Sequence, residues 1–216
     1  MDKAPAAFGV GVSVATWTDT RGTTENFYEG TSSPGRIMQV EILYPTVAVK
    51  ARVVKPWAAP AYRYGPYPVI VFAHGYDVDP NTYRALLVSW VAAGYVVVAP
   101  FFPDTTLAAI QAQHGVDTEY DIFNQPADVA FVVSQVIGAA HRSPPPYAAY
   151  LAGLVDPAHL ILAGQSDGAD FFYRRVGERE NYIEIVNHQV EHDVDVERAR
   201  SKDAEPVNFE KHRLRE

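Results

Sequence analysis

The stretch "LILAGQSDGAD", residues 160–170, decides the fold because it leads from an apolar run into a serine held between two glycines. Its first four residues have the pattern of a strand buried inside a sheet. The "GQSDG" that follows fits Gly-x-Ser-x-Gly at a strand-to-helix junction, where a tight turn lifts the serine hydroxyl above the sheet. A Cβ at either glycine would collide with a neighbouring strand or helix. The stretch therefore predicts that Ser166 is a nucleophile.

Two more apolar runs predict strands that are buried on both faces, "YPVIVFAHG" (67–75) and "YVVVAPFFP" (95–103). A helix is predicted between them, since Asp79 is a suitable N-cap, Pro80 suits the first helical position and Gly94 is a stop signal. Strand, helix and strand in this order form a β-α-β unit. The unit predicts an α/β fold with a mostly parallel sheet and helices on both faces.

The remaining segments extend this prediction in both directions. A second helix is expected at 125–141 and a further strand at 158–166, while 8–17 and 36–45 alternate with period two and predict an antiparallel pair at a sheet edge, joined by a long polar turn. Loops are expected at 104–123 and 142–157. The first of these loops leaves the carboxyl end of a strand, which is where open α/β sheets place their ligand crevice.

The composition excludes several classes of function. A chain of 216 residues with a net charge of −8 suits one globular domain and does not suit binding to duplex nucleic acid. The absence of cysteine rules out disulfides and thiolate metal sites, and no apolar run approaches the roughly 20 residues of a membrane span. The start of the chain carries no signal-peptide pattern, so we expect a cytoplasmic protein or one whose leader precedes this numbering.

The segments "YPVIVFAHGY", "GYVVVAPFFP" and "HLILAGQSDGA" resemble the α/β-hydrolase superfamily, and most closely its lipase-, chlorophyllase- and dienelactone-hydrolase-like branch of serine esterases. The resemblance covers about residues 8–170. It implies an eight-stranded, mostly parallel sheet, a Ser-Asp-His triad in that chain order, small-molecule ester substrates, and neither cofactor nor metal. By position, Ser166 would be the nucleophile, and the backbone N–H groups of Tyr76 and Asp167 would form the oxyanion hole.

The end of the chain departs from the pattern of that superfamily. Residues 171–216 contain 20 charged residues out of 44 in the whole chain, and the 50 residues after Ser166 are too few for the remaining strand-helix units. We therefore expect a C-terminally incomplete fold, with a core at 1–170 and a charged, atypical segment at 171–216 that is part of the same domain or a tail. One short strand in "YIEIVNHQV" (182–190) and a charged helix are conceivable there. The candidate acids and bases in this segment are Asp193, Asp195, Asp203, His188, His192 and His212.

Other polar residues have less demanding interpretations. His74 precedes the nucleophile in the chain and fits a residue that braces the oxyanion loop rather than the general base. Asp104 fits a turn cap better than a pocket residue, and His114 and His141 fit solvated positions. A second set, His188 with His192 and Asp193, has the spacing of metal ligands on a helix, but a charged solvated face explains it better.

Two hypotheses follow from these observations. The first is a serine hydrolase that cleaves carboxylic esters through an acyl-enzyme on Ser166, with an apolar pocket near Tyr76, Phe101 and Phe102. A peptidase, thioesterase or haloperoxidase would share the same scaffold. The second hypothesis is a catalytically impaired or inactive truncated homologue, whose C-terminus does not come from the family.

Overall fold

The computed structural model describes residues 3–141, 151–169 and 183–187. Within these ranges the strands are β1 (Gly9–Asn26), β2 (Thr31–Thr46), β3 (Val54–Pro56), β4 (Tyr67–Ala73), β5 (Val96–Phe101), β6 (Val155–Gln165) and β7 (Ile183–Asn187). The α-helices are α1 (Arg84–Ala92), α2 (Leu107–Ala112) and α3 (Gln125–His141), and three short 3₁₀ helices lie at Tyr62–Tyr64, Pro80–Tyr83 and Glu119–Phe123.

The described strands form one seven-stranded sheet in the order β3-β1-β2-β5-β4-β6-β7. Strands β5, β4, β6 and β7 are parallel to one another, and the antiparallel β1–β2 hairpin joins them through β2 and β5. The predicted antiparallel pair is thus confirmed. Its predicted position at the sheet edge is wrong only at residues 10–12 of β1, where the three residues of β3 pair with the outer side of that strand.

Both faces of the sheet are covered by a helix. Successive side chains of β4 point to opposite faces, so Val69 and Val71 belong to the hydrophobic cluster that includes Val132 of α3. Phe72 belongs to the opposite cluster, together with Trp90 of α1. The predicted α/β-hydrolase fold, a mostly parallel sheet with helices on both faces, is confirmed.

The β1–β2 hairpin is much longer than the sequence pattern predicts. The expected polar turn between 17 and 36 is instead strand on both sides of a short turn at residues 27–30. Asp19 lies in this extension and pairs with Arg36 of β2, and both are almost completely buried. Alternation of apolar residues could not reveal these strands, because most of their residues are exposed or half-buried and the buried Asp19 is charged.

The segment 104–123, predicted to be a loop, contains helix α2 and a 3₁₀ helix. The Thr106 hydroxyl caps α2 by accepting a hydrogen bond from the Ala109 N–H at 3.2 Å. A helix of six residues is too short to establish a periodic pattern, which explains the wrong prediction. The Asp79 cap with Pro80 at the first position is confirmed, although the chain forms a 3₁₀ turn before α1 begins.

At the C-terminal side, β6 begins at Val155, inside the segment 142–157 that was predicted to be a loop. The short strand expected in 182–190 is confirmed by β7, which pairs in parallel with β6. The charged helix expected after it lies outside the described residues. In the part of the chain that the structure describes, no helix combines the length and the apolar character needed to cross a membrane.

Candidate active site

Ser166 lies at the carboxyl end of β6, where the backbone turns sharply. Its φ of 52° falls in the left-handed region, which is uncommon for a residue with a Cβ and is found at functional sites. A helical turn starts at Asp167, and the Ala169 N–H donates to the Ser166 carbonyl at 2.7 Å. The side chain of Ser166 is exposed. The strand, the tight turn and the start of a helix therefore present this hydroxyl at the carboxyl edge of the sheet.

The turn lies directly against the end of β4 and the loop that follows it. A Cβ added to Gly168 would overlap the carbonyl oxygens of Ala73 and His74, so this position requires glycine. A Cβ on Gly75 would lie 3.1 Å from the Cβ of Ser166. The fold thus brings the loop at 74–76 beside the serine, although the two are about ninety positions apart in the chain.

His74 is fully buried and uses both ring nitrogens in hydrogen bonds. Its Nε2 accepts from the Phe102 N–H at 3.2 Å, so the proton of the neutral ring is on Nδ1, which donates to the Gly75 carbonyl at 2.7 Å. That carbonyl and the Tyr76 N–H belong to the same planar peptide unit and point in opposite directions. His74 therefore sets the direction of the Tyr76 N–H, in agreement with its interpretation as a bracing residue.

Burial lowers the pKa of His74 to about 4, although the Gly75 carbonyl and the Asp79 charge oppose the shift. The unfolded histidine takes up a proton near pH 6.5 and the folded one only near pH 4. We therefore expect the stability from neutral His74 to be present above pH 6.5 and to be lost as the pH falls toward 4, by about 3 kcal/mol of unfolding free energy. Urea denaturation at several pH values measures this slope, which should disappear in His74→Asn.

Asp104 changes the pH dependence of the unfolding free energy in the opposite direction, so its contribution has to be removed from the comparison. Its pKa is raised to about 6 by burial and by the Asp121 charge, so the stability from its protonated form is present below pH 3.8 and is lost as the pH rises through 6. The comparison is therefore made in an Asp104→Asn background. Equal pH slopes with and without His74 in that background would contradict the prediction.

The side chain of Tyr76 ties its loop to the segment that follows β5. The Tyr76 hydroxyl accepts from the Thr118 N–H at 3.1 Å and lies 3.4 Å from Asp117 Oδ1, to which it donates. The next backbone amide, that of Asp77, donates to the Thr105 carbonyl at 3.0 Å. The segment 104–118 therefore supports the loop beside Ser166.

A buried charge cluster, which sequence analysis missed, holds this segment in place. Arg36 on β2 hydrogen bonds to Asp121 and Asp128 at 2.7–2.9 Å, and Asp104 Oδ2 lies 3.5 Å from its guanidinium. Burial disfavours the guanidinium charge, but the hydrogen bonds to Asp128 and Asp121 outweigh burial and raise the pKa of Arg36. The cluster joins the hairpin, the segment after β5 and helix α3. We refer to these four residues as the Arg36 cluster.

The structure corrects the interpretation of Asp104 and of one aromatic residue. Asp104 does not cap the turn: it is buried, and its carboxylate accepts from the Glu25 N–H and from Gln113 Nε2. Phe102, expected near the pocket, is fully buried with its ring 4.8 Å from that of His74. It supports His74 and cannot contact a substrate from that position.

The other histidines of the prediction lie elsewhere. His114 is exposed, as expected, and its ring lies against that of Tyr28 in a tilted arrangement, with 4.3 Å between the centroids. The side chain of His141 lies outside the described part of the chain. All six candidate acids and bases of the C-terminal segment do so as well. Strand β7 ends at Asn187, which pairs with Gln165, so the chain beyond β7 starts at the same sheet edge as Ser166.

A comparison with known protein families identifies the family of this chain. The chlorophyllase family profile matches residues 23–135, which is just over half of the chain. The chain belongs to the chlorophyllase family. Its family segment begins in the β1–β2 hairpin and ends within α3, so it includes the His74–Tyr76 loop and the Arg36 cluster but not Ser166. The comparison with curated proteins finds no match.

Among solved structures, this chlorophyllase-family chain is similar to the ferulic acid esterase from Streptomyces cinnamoneus. The TM-score is 0.59 at 18% sequence identity. The match covers 83% of this chain and 58% of the esterase chain, so the chain spans less than two thirds of that structure's length. At this identity the likeness concerns the fold alone.

Proposed function

We propose that the chain is a carboxylic ester hydrolase that works through an acyl-enzyme on Ser166. The observation that carries the proposal is the exposed Ser166 on a left-handed turn at the end of β6, with the Gly75 loop packed against it. Membership of the chlorophyllase family supports the same class of reaction.

In the proposed reaction, the Ser166 hydroxyl loses its proton to a general base, and its oxygen attacks the ester carbonyl carbon. The tetrahedral intermediate collapses, the alcohol takes up the proton and leaves, and the acyl group stays on the serine. Water then attacks the acyl-enzyme by the same route and releases the carboxylic acid. No cofactor is needed for either half of the reaction.

The negative charge on the intermediate would be stabilised by the backbone N–H groups of Tyr76 and Asp167. Support for Tyr76 comes from the hydrogen bond between His74 and the Gly75 carbonyl, which orients the peptide unit that carries this N–H. Support for Asp167 comes from its position at the start of the helical turn after the serine. Two donors fixed before the reaction lower the barrier because they need no reorientation.

The general base is proposed to come from the segment after β7. Among the histidines whose side chains are described, His74 has both nitrogens engaged, and His159 pairs with Asp156 near the start of β6, at the opposite end of the strand from Ser166. The ring of His114 lies against that of Tyr28. His141 precedes Ser166 in the chain, whereas the resemblance to serine esterases implies a base after the nucleophile, so His188, His192 and His212 are the proposed candidates.

An ester with an apolar or aromatic group is the proposed substrate class. The support is a pair of exposed rings, Tyr120 and Phe123, with centroids 4.9 Å apart. They lie on the 3₁₀ helix that directly follows Thr118, whose N–H bonds the Tyr76 hydroxyl. This contact joins the segment that carries both rings to the loop beside Ser166, which supports a substrate with an apolar or aromatic group.

Labelling with a fluorophosphonate probe tests the proposal. The probe reacts with activated serines, so we expect one adduct per chain by intact mass, mapped to Ser166 by peptide analysis. Acid-denatured protein is the control and should not react, since activation depends on the folded site. An adduct on another serine would contradict the assignment of Ser166. No adduct in a folded sample would support the alternative hypothesis of an inactive homologue.

A further inference from the structure

Tyr83 lies between the two parts of the candidate site, the Ser166 turn and the loop at 74–76. It is the last residue of the 3₁₀ helix Pro80–Tyr83, and its hydroxyl donates to Gln165 Oε1 at 2.6 Å, across 82 positions of sequence. Its ring packs against Phe72 of β4, with centroids 4.8 Å apart. The hydroxyl is therefore held in a fixed place by the sheet.

Gln165 immediately precedes Ser166, and its side chain returns toward the neighbouring loop. A Cβ on Gly75 would lie 2.9 Å from Gln165 Oε1, so the amide oxygen fills the space that a side chain at position 75 would take. The backbone N–H of Gly75 also faces the Tyr83 hydroxyl, where it opposes the rise in the Tyr83 pKa that burial causes. Tyr83, Gln165 and Gly75 thus meet at one point beside the serine turn.

We propose that Tyr83 is a positioning residue, whose hydroxyl fixes the spacing between the Ser166 turn and the Gly75–Tyr76 loop through Gln165. The inference rests on the proposed function, because the loop is taken to carry one oxyanion donor. His74 holds the Gly75 carbonyl, and Gln165, which accepts from Tyr83, lies against Gly75 where a side chain would be. Oxyanion donors act only when they point at the place where the charge develops, so a small shift of this loop weakens them.

The hydroxyl can be tested apart from the ring. In Tyr83→Phe the packing on Phe72 is kept and only the donor to Gln165 is lost. Tyr67→Phe is the matched control. Tyr67 is buried at the start of β4, whereas the loop beside Ser166 follows the end of that strand. The Tyr67 hydroxyl donates to the Ala61 carbonyl at 2.8 Å. Both changes remove one phenol hydroxyl bonded to an oxygen, but only one of them is near Ser166.

For hydrolysis of p-nitrophenyl butyrate, we expect kcat to fall about tenfold in Tyr83→Phe with KM unchanged, and both constants to be unchanged in Tyr67→Phe. Gln165→Met should give the same loss. The double variant should be no slower than either single variant, because both substitutions break the same contact. Additive losses, or equal losses in Tyr83→Phe and Tyr67→Phe, would overturn the inference.

Amide hydrogen exchange provides a readout that does not depend on activity. We expect the amides of Gly75, Tyr76 and Asp77 to exchange faster in Tyr83→Phe than in the wild type or in Tyr67→Phe. If the wild type does not react with the fluorophosphonate but Tyr83→Phe shows the faster exchange, the proposed function fails and the positioning role stands. Unchanged exchange in Tyr83→Phe overturns the positioning role, whatever the activity of the wild type.

Discussion

Substituting alanine for Ser166 is expected to lower kcat/KM for p-nitrophenyl butyrate by at least about a thousandfold, while the protein stays folded. The loss is large because the proposed acyl-enzyme could not form, and the proposed oxyanion donors alone would supply only part of the rate enhancement. The side chain is exposed, so its hydroxyl contributes little to packing. Initial rates at several substrate concentrations measure the effect, and thermal denaturation checks the fold.

Ser134→Ala is the matched control for this substitution. Ser134 lies in the middle of α3, and its hydroxyl donates to the Phe131 carbonyl at 2.6 Å, so the change removes a serine hydroxyl from helix rather than from the site. We expect its kcat/KM to equal that of the wild type. If Ser166→Ala retained more than about a tenth of the activity, the acyl-enzyme on Ser166 would be refuted.

Replacing Arg36 with methionine is expected to destabilise the protein by about 3–5 kcal/mol at pH 7. The substitution keeps much of the side-chain volume but leaves the buried carboxylates of Asp104, Asp121 and Asp128 without their cation. Removing one partner of a buried ion pair costs this much because the remaining charge is neither solvated nor paired. The free energy of unfolding from urea denaturation measures the loss.

Arg21→Met is the control for Arg36→Met, because it removes the same positive charge from an exposed side chain instead of a buried one. The side chain of Arg21 is 74% exposed, and its removal leaves one buried carboxylate, that of Asp19, without its cation instead of three, so the loss should be clearly smaller than in Arg36→Met. The loss in Arg36→Met should shrink as the pH falls, because the unpaired carboxyl groups then become protonated and neutral. Equal losses in the two variants would show that the Arg36 cluster does not stabilise the fold.

The parts of the fold that the sequence predicts are those encoded by local patterns. Strands β4 and β5 are continuous apolar runs, and Asp79, Pro80 and Gly94 mark the ends of the helical segment between them. The end of the β1–β2 hairpin could not be predicted in this way. Its inner face is occupied by Arg36, whose partners come from residues 85 and 92 positions later in the chain.

The candidate site is predictable to a similar extent. The Gly-x-Ser-x-Gly pattern and the His-Gly-Tyr sequence after β4 are local signals, and the fold brings them together at one sheet edge. The contact between Tyr83 and Gln165 carries no such signal, because a tyrosine before a helix and a glutamine before a serine are each unremarkable alone. The wrong interpretation of Asp104 has the same origin, since its cationic partner lies on β2.

The short strand β3 also bears on how copies of this chain behave toward one another. A long strand at the edge of a sheet offers free backbone groups on which a second molecule can add a strand, and this is a common start of aggregation. Here the edge strand beside β1 has only three residues, all exposed, and two of them are Lys55 and Pro56. The lysine charge repels a second copy, and the proline has no N–H to donate. Along this part of its edge, the sheet is poorly suited to intermolecular growth.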